Sequence, residues 1–293
     1  MTRFCCAGPV TWDVTLRVER LPDPDGEGRI TGQQQASGGS AANAAAVLAG
    51  LDREATLVGG VGVDEHGHLL RRELDALGVE TALIEVPDAA TTVSYLVVDE
   101  EGEVMLLGNE GAADRLDAEA IEAAALAGGT VEAADHLHLT GLPPEAAVEL
   151  ATTADAAGLS VSFDPGDRIA DRAYDPVLEL ADTVFLDEAA ADLLAGEDPF
   201  DDDQTVVTTR GRDGATVRRG DEAVSHGGFL VEPVDTTGAS DAFAAGFLAA
   251  REERSLEGAL AVGNACGALA ARSPGSRAYL SWSDVEAMLA VED

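Results

Sequence analysis

Asp235-Thr-Thr-Gly-Ala-Ser-Asp241 runs directly into Ala242-Phe-Ala-Ala-Gly-Phe-Leu248. A turn of small residues is thus set at the head of an apolar helix, with a carboxylate in the first turn. The first amides of a helix lack partners within it and carry a partial positive charge, so such a head attracts anions such as phosphate. A carboxylate beside that site is placed to take a proton from a nucleophile attacking the phosphate. The plainer reading makes Asp241 a first-turn acid that favours the helix dipole, with Thr236 or Thr237 as the cap.

A second glycine-rich helix start lies far upstream, at Ser37-Gly-Gly-Ser-Ala-Ala-Asn43, which opens a helix expected over Ser40–Leu51. Its glycines let a ligand approach the backbone, and Asn43 offers both a donor and an acceptor. Between and beyond these two starts, short apolar runs alternate with helical patterns, as βαβ units do. Strands are expected at Arg3–Ala7, Ala55–Gly59, His136–Thr140, Ser160–Phe163, Thr183–Leu186 and Thr205–Thr208. Further helices are expected at His66–Leu77, Ala118–Leu126, Pro144–Ala157, Glu188–Leu194, Ala239–Glu252, Leu256–Ala271 and Ser283–Ala290. Several of the strands are continuous apolar runs, which suits strands buried on both faces.

Two regions break this rhythm. Asp13–Ala36 and Thr91–Gly108 read as β-hairpins, with Val14, Leu16 and Val18 alternating with polar residues and Glu100-Glu-Gly102 as a turn. The chain is therefore expected to form an α/β core over 1–12, 37–90 and 109–293, with a small β lid over 13–36 and 91–108. Such a lid could exclude water from a reacting phosphate.

Composition narrows the function. The 293 residues carry a formal net charge of −37, from 55 acidic and 18 basic residues, and every basic residue is Arg. Nucleic-acid binding is excluded on this ground, because it needs a positive surface. Without Lys there is neither a Walker A P-loop nor the strand lysine of a protein kinase. A folded chain this acidic repels itself unless salt screens it, which points to a salt-rich cytoplasm. No apolar run is long enough to span a bilayer, and the N-terminus lacks a signal-peptide pattern. Cys5, Cys6 and Cys266 imply no disulfide framework. His136 and His138 alternate along an apolar strand, where ordinary strand positions are favoured over paired metal ligands.

Gly38-Gly39-Ser-Ala-Ala-Asn43 and Asp235-Thr-Thr-Gly-Ala-Ser-Asp241 resemble the two signatures of the ribokinase-like (PfkB) carbohydrate kinases. The segments between them agree in order: Gly60-Val-Gly-Val-Asp-Glu-His-Gly67, Phe163-Asp-Pro-Gly-Asp-Arg168, Thr208-Thr-Arg-Gly211 with Asp213-Gly214, and Asn264-Ala-Cys-Gly-Ala-Leu-Ala270. The resemblance implies a three-layer α/β/α core with a mainly parallel sheet, a small β-sheet lid, and ATP-dependent phosphorylation of a hydroxyl on a small sugar or nucleoside. By motif position it makes Asp241 the general base and the amides of Gly238, Ala239, Ser240 and Asp241 the anion hole. Asp13, Gly38, Gly39 and Asn43 would hold the acceptor. Arg168, Asp187, Thr209, Gly211, Gly214 and Asn264 would lie along the nucleotide. Mg²⁺ would be held through water by Asp187 and Glu188, and a monovalent cation such as K⁺ near Asp235, Thr237 and the Ser273–Gly275 loop. Family lids often pair, so a homodimer through the lid is a further expectation.

The chain departs from the family pattern at three places. Ser240 replaces the glycine before the catalytic Asp, which requires a helical backbone there. Thr11 stands where Asn is expected upstream of Asp13. In the magnesium motif Asp187 takes the place of Asn and Ala190 that of Glu. A pentose or nucleoside is favoured as acceptor, because a phosphorylated sugar asks for cations. A sugar-phosphate kinase, or a non-catalytic sugar- or nucleotide-binding protein on the same scaffold, stays open. An oxidoreductase is disfavoured, since Gly-x-Gly-x-x-Gly does not follow the first strand.

Overall fold

The computed structural model describes residues 2–101, 103–116, 120–121, 130–131, 133–166, 169, 173–195, 199–273, 275 and 279–291. The elements run β1 (Arg3–Ala7), β2 (Thr11–Val18), β3 (Ile30–Gly38), α1 (Ser40–Gly50), β4 (Glu54–Gly62), α2 (Glu65–Ala76), β5 (Glu80–Val86), β6 (Val93–Val98) and β7 (Val104–Gly108). They continue with β8 (His136–Thr140), α3 (Pro144–Ala157), β9 (Ser160–Asp164), α4 (Asp175–Leu180), β10 (Thr183–Asp187), α5 (Glu188–Leu194) and β11 (Thr205–Thr209). Last come β12 (Ala215–Arg219), β13 (Glu222–His226), α6 (Ala239–Arg251), α7 (Leu256–Ala271) and α8 (Trp282–Leu289).

Nine strands form one sheet in the order β13-β12-β11-β10-β9-β8-β1-β4-β5. All pairings from β11 to β5 are parallel, and the β12–β13 hairpin adds an antiparallel edge. Parallel strands need helical crossovers, which cover both faces. The strand alternation sorts the core accordingly. Cys6 and Leu57 join α1, α2, α6, α7 and α8 on one face. Cys5, Ala7, Leu137 and Leu139 join α3, α4 and α5 on the other. This is the expected α/β/α sandwich. The free cysteines are all buried apolar groups, and burial pushes the Cys5 and Cys266 thiols up to about 12.

β2, β3, β6 and β7 form a separate four-stranded sheet in the order β3-β2-β6-β7. β2 and β3 are antiparallel, β2 and β6 parallel, and β6 and β7 antiparallel. The sequence thus marks two hairpins, and only in three dimensions do they join along β2 and β6.

One carboxylate ties the small sheet to the core. Asp64 caps α2 by accepting from the Gly67 amide at 2.9 Å, and also accepts from the Thr91 amide and hydroxyl, each at 2.7 Å. Burial works to raise this carboxyl, but the hydrogen bonds from Thr91 and Gly67 outweigh it and hold it below its ordinary range. Gly62 donates to the Thr91 hydroxyl at 3.0 Å, which fixes the end of β4 against the strand leading into β6.

β5, the β12–β13 hairpin and the short α4 stand where the sequence reading placed no element. The helix expected over Ala118–Leu126 falls largely outside the described residues.

Candidate active site

The crevice opens where β1, β8, β9, β10 and β11 end, at the carboxyl edge of the parallel sheet, which is where open α/β sheets bind ligands. α6 points its N-terminus into it. Gly238 caps α6 in the left-handed region, φ 75°, a conformation that glycine adopts without steric cost. Ser240 lies within the first helical turn, so the serine sits on the helical backbone it requires. The Ala239 amide donates to the Thr236 carbonyl at 3.2 Å across the turn.

Asp241 is 7% exposed at the floor of the crevice. Asn43 in the first turn of α1 donates from Nδ2 to Asp241 Oδ2 at 2.9 Å. The two glycine-rich starts, 198 residues apart in sequence, therefore meet through a side-chain hydrogen bond. Asn43 Oδ1 and Thr140 Oγ1 are buried polar atoms without a hydrogen-bond partner among the described residues. Both residues line the crevice, so both sites are ready for a polar ligand, since buried polar atoms otherwise cost free energy.

Two cavities of similar size flank the head of α6. The first, about 460 Å³, lies under the small sheet and is lined by Thr11, Asp13, Thr15, Gly39, Asn43 and Asp241 among others. Thr11 donates from Oγ1 to Asp13 Oδ1 at 2.7 Å, so the threonine found in place of the expected asparagine orients Asp13. A Cβ on Gly38 would stand 2.0 Å from Asp13 Oδ2, and one on Gly39, whose φ is +89°, would stand 2.4 Å from the Pro9 carbonyl. Gly38 therefore shapes the site through Asp13. The second cavity, about 470 Å³, is lined by Thr209, Gly211, Gly214, Asn264 and apolar groups including Phe229 and Phe243. Asn264 donates from Nδ2 to Leu260 in its own helix at 3.0 Å.

A small pocket of about 90 Å³ bridges the two, lined by Asp164, Asp187, Ala190, Thr209 and Ser240 among others. Ser240 lines all three spaces. Asp187 caps α5 by accepting from the Ala190 amide at 2.6 Å, while Ala190 is buried in the core and brings no carboxylate. Glu188 is exposed and lines none of the three spaces. Asp235 accepts from the amides of Thr237 at 2.9 Å and Gly275 at 3.1 Å, joining the turn before α6 to the loop after α7. Arg168 lies outside the described residues. No group of three or more His, Cys, Asp or Glu side chains is placed to hold a metal ion among the described residues, and no described helix is long and apolar enough to cross a membrane.

His136 Nε2 and His138 Nδ1 share the Ser162 hydroxyl, each at 2.8 Å. Burial, aided by His136, pushes the His138 imidazole down to about 3. The pair is a structural feature of neighbouring strands.

Thr15, Ser94, Thr140 and Asp164 also line the first cavity. Only Asp164, at the head of an Asp-Pro-Gly turn, has a sequence mark that could have singled it out; the others need the fold.

A family model described as pfkB family carbohydrate kinase matches residues 1–283. An ATP-dependent ribose-1-phosphate kinase from Halopiger xanaduensis is 45% identical, covering 99% of this chain and 98% of the relative. A ribokinase from Haemophilus influenzae is 27% identical over 93% of both chains. The crystal structure of a ribokinase from Thermotoga maritima superposes with a TM-score of 0.85 at 24% identity, covering 99% of this chain and 100% of that one.

Proposed function

Because the chain belongs to the pfkB family of carbohydrate kinases, and is an ATP-dependent kinase acting on a sugar or nucleoside, we propose that its acceptor is ribose 1-phosphate and that Asp241 is its general base. The carrying observation is Asp241 itself. It is a buried carboxylate at a helix start, steadied by Asn43, lining the first cavity next to Ser240, which lines both. The choice of acceptor rests on the relative with 45% identity and replaces the unphosphorylated pentose or nucleoside favoured from the missing lysines.

In this reading the sugar lies in the cavity under the small sheet. Asp13, Asn43 Oδ1 and Thr140 Oγ1 take its hydroxyls, and Gly38 and Gly39 keep the space open. ATP lies in the second cavity, with its base against the apolar wall near Phe229 and Phe243, its chain past Thr209, Gly211 and Gly214, and its phosphates at the head of α6. Asp241 accepts the proton of the attacking C5 hydroxyl as that oxygen bonds to the γ-phosphorus. The bond from phosphorus to the bridging oxygen breaks, and its electron pair leaves with ADP. The amides at the head of α6, from Gly238, Ser240 and Asp241, stabilise charge on the phosphoryl group, and that of Ala239 joins them only if it leaves the Thr236 carbonyl. Phosphoryl transfer depends chiefly on such alignment and charge stabilisation.

Mg²⁺ neutralises phosphate charge when bound. Asp187 fits a water-mediated role because Mg²⁺ keeps several waters and asks for one or two carboxylates, whereas Glu188 would have to turn inward. K⁺ would sit beside Asp235 and Thr237. Tyr95, Met105 and Leu107 are exposed on the outer face of the small sheet, which supports its pairing in a homodimer. Operation in the cytoplasm suits the need for ATP.

The test is ADP release by the purified protein with ATP, Mg²⁺ and molar KCl against ribose 1-phosphate, ribose, fructose and adenosine. Ribose 1-phosphate should give the highest kcat/KM. A better unphosphorylated substrate would overturn the acceptor, and absence of sustained turnover with every compound would overturn the kinase reading.

A further inference from the structure

The proposed acceptor carries a dianionic phosphate into a cleft lined by Asp13, Asp164 and Asp241 and, among the described residues, by no cation. Like charges at this range repel strongly where water is sparse, so a cation has to come from nearby. The small sheet supplies one candidate. Its rungs are fixed by register: Asp13 opposes Ala36 and Ser94, Thr15 opposes Gln34 and Leu96, and Arg17 opposes Gly32 and Val98. Side chains of a strand alternate in direction, so Thr11, Asp13, Thr15 and Arg17 share one face. The first three of these line the cleft.

Arg17 stands one rung beyond Thr15, about 6.6 Å further along β2. Its partner is glycine, and a Cβ on Gly32 would lie 3.7 Å from both Cβ and Cδ of Arg17. The stem of Arg17 therefore runs across the bare backbone of Gly32. Its side chain makes no hydrogen bond or ion pair among the described residues, and the residue is exposed. The neighbouring Arg29, by contrast, is held by Glu19 at 3.3 Å.

We propose that Arg17 determines specificity for a phosphorylated acceptor, its guanidinium binding the phosphate on C1 as the small sheet closes over the sugar. Guanidinium groups bind phosphate oxygens in pairs through parallel N–H donors. The ladder matches this order along β2, with the hydroxyl-binding Asp13 first, Thr15 next and the exposed cation last. The inference rests on the ribose 1-phosphate reading above.

Steady-state kinetics of Arg17→Gln, Arg17→Lys and Arg29→Gln test it. For Arg17→Gln, KM for ribose 1-phosphate should rise at least tenfold, while KM for ATP stays within twofold. Arg17→Lys should recover part of the loss, since it keeps the charge and loses the paired donors. Arg29→Gln should match the parent. If the parent uses ribose 1-phosphate and Arg17→Gln leaves its KM unchanged, the role of Arg17 is overturned and the acceptor reading stands. If the parent prefers unphosphorylated ribose, the acceptor reading falls and this inference with it. If Arg17→Gln lowers kcat with every acceptor and leaves each KM unchanged, Arg17 is not a phosphate anchor.

Discussion

Among the described residues the buried carboxylates are Asp99 and Asp241, and the burial of Asp241 has a specific structure. Asn43 donates to Oδ2, which orients the carboxylate where it lines the cleft. An oriented base contributes about 10²–10⁴-fold to rate. Asp241→Asn should therefore lower kcat at least about a hundredfold while retaining the fold and the affinity for ATP, read by steady-state kinetics alongside a nucleotide-binding titration. Near-parental kcat in that variant would remove Asp241 from the chemistry. Ser240 shows how local context permits a departure from a motif. In a left-handed turn a serine would be strained, but two residues beyond the left-handed Gly238, on the helix, it fits and lines all three spaces of the site.

At the scale of elements, the junction between the two sheets depends on Asp64, which caps α2 and pins Thr91. Removing an N-cap carboxylate costs about 0.5–2 kcal/mol. Asp64→Ala should show that loss at pH 7 in chemical denaturation. The folded-state pKa of Asp64 is depressed, so its contribution is present above the unfolded value of about 3.9 and disappears as pH falls through the folded value. The gap between parent and variant should accordingly close below about pH 4. A gap that widened in acid would contradict the assignment. Continuous apolar runs such as Val184-Phe-Leu186 announce buried parallel strands, and the helices beginning at Ser40 and Ala239 are legible from their small-residue heads. β5 was passed over because Ala82, Ile84 and Val86 alternate with residues that are themselves mixed. The β12–β13 hairpin was passed over although Gly220-Asp221 is a turn signal between two short runs. The site was legible where chemistry and local geometry share a motif, as at Gly38–Asn43 and Gly238–Asp241. It was hidden where a plain residue such as Thr140 faces the cleft only because its strand ends there.

For the whole molecule, the governing quantity is 55 acidic against 18 basic residues. Internal pairing does not absorb the excess: the described residues contain four ion pairs, three of them with a carboxylate more than half exposed. Surface pairs of this kind contribute little, so the unpaired acids repel across the surface and favour the expanded chain. Screening shortens the reach of that repulsion from about 10 Å at 0.1 M salt to about 3 Å at 1 M. The melting temperature in KCl should therefore rise, with most of the gain below about 1 M, where the screening length changes fastest. At about 2–4 °C per kcal/mol for a chain of this size, relief of a few kcal/mol should appear as a rise on the order of 10 °C by calorimetry. The shape of the curve separates screening from exclusion of salt at the protein surface, which keeps strengthening burial as concentration increases. A melting temperature flat to 1 M and rising only beyond it would assign the effect to exclusion. A falling one would mean that the acidic surface is not what limits stability.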